Sequence, residues 1–172
     1  MFGAIEIILP ELPFQAKSFQ RSANIGKIFV IRLLEVMNSA GYDFQFSSDL
    51  SRGKDQSSLV FRLSPDASQG RPWKRVICVA PGSSDRLILM NHDKKIIDAV
   101  QAAITYSWQQ GLQDFNAGMH ENLTFHEFKL FGNPWFSELD ESVEARKLLL
   151  EIIERMAAIG YKFHANVNIK VK

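Results

Sequence analysis

The four histidines are the side chains that could bind a metal ion or exchange a proton near neutral pH. His120 and His126 lie six residues apart, which is not the i, i+4 spacing that places two zinc ligands on one helix face. His92 precedes a predicted helix, where its neighbour Asp93 is typical of an N-cap, and His164 lies on the polar side of a predicted strand. This pattern favours surface histidines, so we expect no catalytic residue, no metal site and no cofactor.

Nucleotide-binding and cysteine chemistry are not indicated either. Ser22–Lys27 places Gly-Lys at a predicted helix start but lacks the earlier glycine and the following hydroxyl residue of a phosphate-binding loop. Cys78 is the sole cysteine, so the sequence predicts neither an intramolecular disulfide nor a cysteine zinc site.

A cluster of basic and aromatic residues is a stronger candidate for a binding site. Three cations surround a tryptophan between two predicted strands, and two lysines open the next helix. The residues are Arg71, Trp73, Lys74, Arg75, Lys94 and Lys95. Such a set could bind a phosphate group, a lipid headgroup or a nucleic-acid strand. The alternative is a solvated loop whose tryptophan folds back on the sheet, which the net charge of +1 favours.

Apolar residues at unusual positions form the second notable feature. Proline-aromatic pairs precede two predicted helices, and they either cover the end of the sheet or form a recognition surface. Their aromatic members are Phe14, Trp135 and Phe136. Ile28, Ile31 and Leu150 fall among polar residues on their helical wheels, so we expect these side chains to contact another element or another subunit.

Composition predicts a globular chain without a strong surface field. The 172 residues are 46% hydrophobic, and a net charge of +1 does not attract nucleic acid or an anionic membrane at long range. No segment approaches about eighteen consecutive apolar residues, and the first residues lack a basic region followed by a long apolar run. We therefore expect a cytoplasmic or nuclear protein without a transmembrane segment.

Hydrophobic periodicity predicts the order of helices and strands. The predicted elements are strand 5–9, helix 23–40, strands 42–49, 59–63, 75–80 and 86–90, a helix that ends before Gly111, a loop at 113–122, strand 125–131, helix 140–159 and strand Tyr161–Val171. In the first helix, Phe29, Val30 and Leu34 fall on the expected core face, and Glu35 falls on the polar face.

A helix, a glycine break and a strand recur along the chain. Gly41-Tyr42 corresponds to Gly160-Tyr161, and Leu33-Leu34 corresponds to Ile152-Ile153 at the same offset. Such agreement is typical of an internal repeat, and chance similarity of two amphipathic helices is the alternative. The repeat predicts that the corresponding helical residues are buried in equivalent environments.

The order of elements predicts an α+β fold. We expect an antiparallel sheet with helices packed on one face, built from an internal duplication with the order βαβββ(β)α and then a partial βαβ second copy. A parallel α/β sheet is the alternative, but the short connections between the central strands favour an antiparallel meander. Residues 1–118 form the first copy and residues 119–172 the partial second copy, packed together as one globular domain.

The last predicted strand, Tyr161–Val171, lacks the hairpin partner that the first copy provides. Its alternation of polar and apolar residues predicts a half-buried strand that pairs within the sheet or with a second chain. We therefore interpret the chain as a non-enzymatic protein–protein interaction or assembly module, which could self-associate through this strand. The alternative is a binding module for an anionic ligand through the basic cluster, and an enzyme is the third class.

Overall fold

A computed structural model describes residues 4–9, 19–49, 57–64, 75–120, 122–136 and 140–164. Within these ranges the chain forms three helices and seven strands, and the strands make two antiparallel sheets. The chain divides into two compact units, which are Met1–Val76 with His164–Lys172 and Ile77–Phe163. The α+β class predicted from the sequence is confirmed, although the strands form two sheets where one was expected.

The first unit combines a three-stranded sheet with one helix. Strands β1 (Ala4–Leu9), β2 (Tyr42–Asp49) and β3 (Ser57–Leu63) have the order β1-β3-β2, and β3 is antiparallel to both neighbours. Helix α1 (Phe19–Ser39) connects β1 to β2. The chain turns from α1 into β2 at Gly41, whose φ of 88° suits a residue without a Cβ.

Helix α1 buries a different stripe from the one expected. Val30 and Leu34 pack with the sheet residues of the first unit, but Phe29, expected in the core, is 40% exposed and Glu35 is buried. The Glu35 carboxylate accepts hydrogen bonds from Arg32 Nη1 at 3.0 Å and from the Val76 backbone N–H at 3.2 Å. These donors compensate for the loss of water, so a carboxylate that pattern analysis assigns to the surface is buried here.

The second unit contains the larger sheet. Its strands are β4 (Cys78–Gly82), β5 (Arg86–Met90), β6 (Leu112–His120) and β7 (Leu123–Leu130), with the antiparallel order β4-β5-β7-β6. Helix α2 (Lys94–Ser107) connects β5 to β6, and helix α3 (Asp140–Ala158) follows β7. None of the described helices is long and apolar enough to cross a membrane.

The core of the second unit lies between the two helices and one face of the sheet. Side chains that alternate along β5 and β7 contribute Leu87, Leu89, Phe128 and Leu130. Helix α2 begins at an N-cap, Asp93, whose side chain accepts a hydrogen bond from the Ile96 N–H at 3.3 Å. Packing of both helices on this face leaves β6 at the margin of the sheet, beyond β7.

Strand β6 is the main element that the sequence interpretation missed. The predicted loop at 113–122 is mostly β6, and the predicted boundary between residues 118 and 119 lies inside this strand. The predicted meander is interrupted, because β3 and β4 belong to different sheets. Residues 161–164 have no regular secondary structure, and the rest of the predicted strand Tyr161–Val171 lies outside the described residues.

The two proposed repeat copies do not bury equivalent residues. In α3, Ile152 is 3% exposed and Ile153 is 39% exposed, whereas in α1 the counterpart of Ile153, Leu34, is 9% exposed. Ile31 is likewise buried at 2% exposure, while its counterpart Leu150 is 56% exposed. The expectation of equivalent environments is therefore wrong for these pairs, and the internal duplication stays a prediction.

Candidate interaction surface

Strand β6 is the less protected edge of the four-stranded sheet. Natural edge strands are commonly shielded from further pairing by proline, lysine or short length. At the opposite edge, β4 has five residues and includes Pro81. Strand β6 has nine residues and contains neither proline nor lysine. Of the two edges, β6 is therefore the better template for an additional strand.

One face of β6 carries exposed apolar side chains. Phe115 is 60% exposed and Met119 is 69% exposed, and they alternate with polar neighbours at the period of a strand. Phe115 is paired with the core residue Phe128, and Ala117 is paired with His126. Paired residues in an antiparallel sheet point to the same face, so Phe115, Ala117 and Met119 lie on the face of the sheet that the helices cover. Phe115 and Met119 are exposed because the helices do not extend over β6.

The backbone groups of the same residues point away from β7. The Leu130 N–H donates to Asp85 O at 2.8 Å, and Thr124 O accepts from the Asn91 N–H at 2.9 Å, so even-numbered residues of β7 bond toward β5. The residues of β6 opposite these positions form non-hydrogen-bonded pairs with β7 and direct their N–H and C=O groups outward. They are Leu112 before the register irregularity and Phe115, Ala117 and Met119 after it, and we call the last three the β6 edge. The Phe115 N–H already donates to Asp114 Oδ1 at 2.8 Å.

The Phe115 ring covers a buried histidine. His126 is 7% exposed, and its ring stacks on Phe115 with a centroid separation of 5.4 Å and an interplanar angle of 15°. The centroid of the His92 ring lies 5.8 Å from the centroid of the His126 ring. Nδ1 of His126 has no hydrogen-bond partner among the described residues. Burial, with a smaller contribution from the charge of His92, lowers the pKa of His126. His126 is therefore neutral at pH 7, and its assignment to the surface is wrong.

The histidine pair does not extend into a metal site. Within the described ranges, no group of three His, Cys, Asp or Glu residues is placed to hold a metal ion.

An open groove between α2 and α3 also lacks an arrangement of side chains that suggests catalysis. Its main feature is Arg155, which lies over the Tyr106 ring at 5.6 Å and is held by Glu151 at 2.6 Å. This partly buried ion pair beside an aromatic ring provides no acid–base pair directed at a bound substrate.

The basic cluster predicted from the sequence is only partly described. Arg71, Trp73 and Lys74 lie outside the described residues, and Arg75 is exposed in the first unit. Lys94 and Lys95 are exposed at the start of α2 in the second unit, and Lys94 Nζ lies 2.9 Å from both carboxylate oxygens of Asp98. The described part of the chain therefore assembles no basic cluster within either unit.

Three of the predicted interaction residues lie in or before α1. Phe14 lies outside the described residues. Ile28 and Ile31 are only 4% and 2% exposed, so they offer no free surface to a partner. Their burial agrees with the expected contact with another element of the chain rather than with another subunit. It corrects the helical wheel, which placed both residues among solvated side chains because it assigned Glu35 to the surface.

The other three predicted interaction residues belong to the second unit. Trp135 packs against the core, and its Nε1–H donates to Arg86 O at 2.7 Å, so it covers the end of the sheet rather than forming a recognition surface. Phe136 is 81% exposed and Leu150 is 56% exposed. Both remain apolar positions on the surface, in the loop before α3 and on its outer face.

Comparison with known proteins places the β6 edge inside a defined domain. Residues 75–172 match the model of an uncharacterised domain family, which begins just before the second unit and includes β4 through α3. No curated protein and no solved structure matches the chain significantly. Because the family model covers more than half of the residues, the chain belongs to this domain family.

Proposed function

We propose that the protein is a non-enzymatic protein-interaction module whose contact surface is the β6 edge. One observation carries this proposal: Phe115, Ala117 and Met119 present outward backbone groups and an exposed apolar row on the same nine-residue strand. An extended segment of another polypeptide would satisfy the backbone groups as a fifth strand and would cover the two large side chains.

The exposed areas limit the strength of such a complex. Full burial of a Phe or Met side chain contributes roughly 1.5–3 kcal/mol, so covering the remaining 60% of Phe115 and 69% of Met119 contributes about 2–4 kcal/mol together. Each added backbone hydrogen bond contributes about 1 kcal/mol net, and association costs several kcal/mol of lost freedom. We therefore expect a complex through β6 alone to be no tighter than about micromolar.

A peptide selection tests the proposal without knowledge of the natural partner. Random peptides displayed on phage are enriched on the immobilised protein, and the enriched sequences are synthesised and measured by calorimetry. The variant Met119→Lys places a charge on the β6 edge, and Leu150→Lys places the same charge at another exposed apolar position of the second unit. We expect Met119→Lys to weaken binding about tenfold or more, equivalent to about 1.4 kcal/mol, and Leu150→Lys to leave it unchanged.

Two results would reject the proposal. One is an enriched set of peptides that binds wild type and Met119→Lys equally. The other is an affinity that depends on Leu150, which would move the contact surface to the outer face of α3. Peptide-induced shifts in the amide resonances of Phe115, Ala117 and Met119 in wild type, and their loss in Met119→Lys, would confirm that the β6 edge is occupied.

Binding of an anionic ligand is the second function, and it has less support. Asp98 balances the charge of Lys94, which leaves Lys95 as the other exposed lysine of the predicted set in the second unit. Titration with a polyanion at several salt concentrations separates the two functions. Electrostatic binding weakens steeply with salt, whereas pairing at the β6 edge does not.

A further inference from the structure

We infer that the strand which occupies the β6 edge is β6 of a second copy of this chain, paired antiparallel about a two-fold axis at Ala117. The inference rests on the proposed function, because it uses the same surface and adds the identity of the partner. It follows from the fit of β6 to itself in backbone and side chains.

The backbone of β6 is self-complementary in one central register. An antiparallel partner must oppose outward-directed residues to outward-directed residues, and those of β6 are Phe115, Ala117 and Met119. With the axis at Ala117, Phe115 of one copy opposes Met119 of the other, and Ala117 opposes its own copy. All three positions then form hydrogen-bonded pairs, in which the Phe115 N–H exchanges the Asp114 carboxylate for a backbone C=O of the second copy. A shift of one residue would oppose outward to inward groups. A shift of two would oppose one of the three positions either to a residue beyond the strand or to Gln113 at the register irregularity.

The side chains match in the same register. Each Phe115 faces a Met119 across the axis, so the pairing makes two sulfur–aromatic contacts from residues that are both more than half exposed in the single chain. The small Ala117 residues meet at the centre, which leaves room for the larger groups on either side.

The weak protection of this edge supports a second copy as the occupant. Proline, lysine or a bulge would keep such a strand from joining its own copies, and the pairing residues contain none of these. The bond from the Phe115 N–H to Asp114 is a protective contact that pairing must displace. The register irregularity of β6 lies between Leu112 and Asp114, outside the three positions that pair. A two-fold dimer also closes after one contact, since each copy has one β6 edge.

Cysteine trapping tests both the partner and the register. All variants carry Cys78→Ala to remove the native thiol. Ala117→Cys places the two thiols at an opposed pair with a Cα separation of about 5.5 Å, within the range of disulfides. Met119→Cys is the matched control on the same strand and face, because its own copy lies four residues along the partner strand, about 13 Å away. We expect mild oxidation of the folded protein to link Ala117→Cys as a dimer and to leave Met119→Cys largely unlinked.

Sedimentation of the unoxidised protein gives the second readout. Wild type is expected to show a dimer whose dissociation constant rises about tenfold or more in Met119→Lys and stays unchanged in Leu150→Lys. Linking of both cysteine variants to the same extent, or of neither, would overturn the inference. A wild-type monomer at every concentration would also overturn it, while the proposed function would stand if selected peptides still required Met119. Both ideas fail together if neither dimer nor peptide depends on Met119.

Discussion

Ile152 and Ile153 test the packing of α3 with two adjacent residues of the same type. Ile152 is 3% exposed in the core of the second unit, and Ile153 is 39% exposed. Replacement by alanine removes three carbons, each contributing about 0.8 kcal/mol when buried, so the transfer cost at Ile152 is roughly 2.4 kcal/mol. The cavity left behind raises the expected loss of unfolding free energy to about 3–4 kcal/mol. At Ile153 water replaces part of the side chain, so we expect a loss of about 1 kcal/mol.

Urea unfolding followed by tryptophan fluorescence measures this difference. Trp108 is 2% exposed, and Trp108 and Trp135 both belong to the second unit, so their emission reports on the unit that contains α3. The slope against urea should stay constant, which shows that the transition itself is unchanged. Equal losses at the two positions, or a larger loss at Ile153, would refute the packing described. A larger loss at Ile153 is the outcome expected from the internal repeat, because its counterpart Leu34 is buried.

Three further predictions concern the second unit. Because the pKa of His126 lies below its ordinary value of 6.5, the unfolded chain binds this proton more tightly than the folded one. The free energy of unfolding should therefore fall as the pH drops from 6.5 toward the lowered pKa, and urea unfolding across this range should show a flatter profile in His126→Gln. Asp93→Ala removes the N-cap of α2 and should cost about 1 kcal/mol in the same assay, whereas a loss below that of the exposed Asp98→Ala would contradict the cap. Trp135→Phe removes the donor to Arg86 O and should cost about 1 kcal/mol, and no change in the urea midpoint would show that the bond is dispensable.

The helices and the central strands could be predicted from periodicity alone. In α2 the apolar residues from Ile96 to Ile104 recur at helical spacing, and all of the described core positions of this helix follow that pattern. The glycines after α1 and α3 have positive φ, as expected for residues that end a helix. Helical periodicity and a terminal glycine both depend only on residues that are close together in the sequence, so they can be recognised without the tertiary structure.

Strand β6 could not be recognised as easily, because an edge strand has little to bury. Its residues are mostly exposed, and Asp114, Asn116 and Gly118 are typical of a loop. The alternation of Phe115, Ala117 and Met119 is the signal that was present, together with Asn122, whose φ of 63° fits a tight hairpin turn. A weak alternation before such a residue therefore indicates a hairpin more strongly than its polar composition suggests.

No rule of sequence spacing predicts the contact between His92 and His126. His92 precedes α2 and His126 lies in β7, and they meet because β5 and β7 are neighbours in the sheet. The burial of His126 had a local signal, because it lies two residues before Phe128 and four before Leu130 and therefore shares their core-facing side of β7. The burial of Glu35 had no such signal, because one of its donors, the Val76 backbone N–H, is 41 residues away in the sequence.

The strand order of the second unit bears on the route by which it folds. Its two outer pairs, β4 with β5 and β6 with β7, are hairpins between neighbours in sequence, whereas the central pair β5 with β7 encloses α2 and β6. Short loops close at a small entropic cost, so the hairpins are expected to form first and the docking of β5 on β7 to limit the folding rate. Truncation of Leu89, at that central junction, should then slow folding, while changes on the outer rim of β6 should leave the rate unchanged. Stopped-flow refolding of the two classes of variant measures this, and equal slowing would show that the rim is already ordered in the transition state.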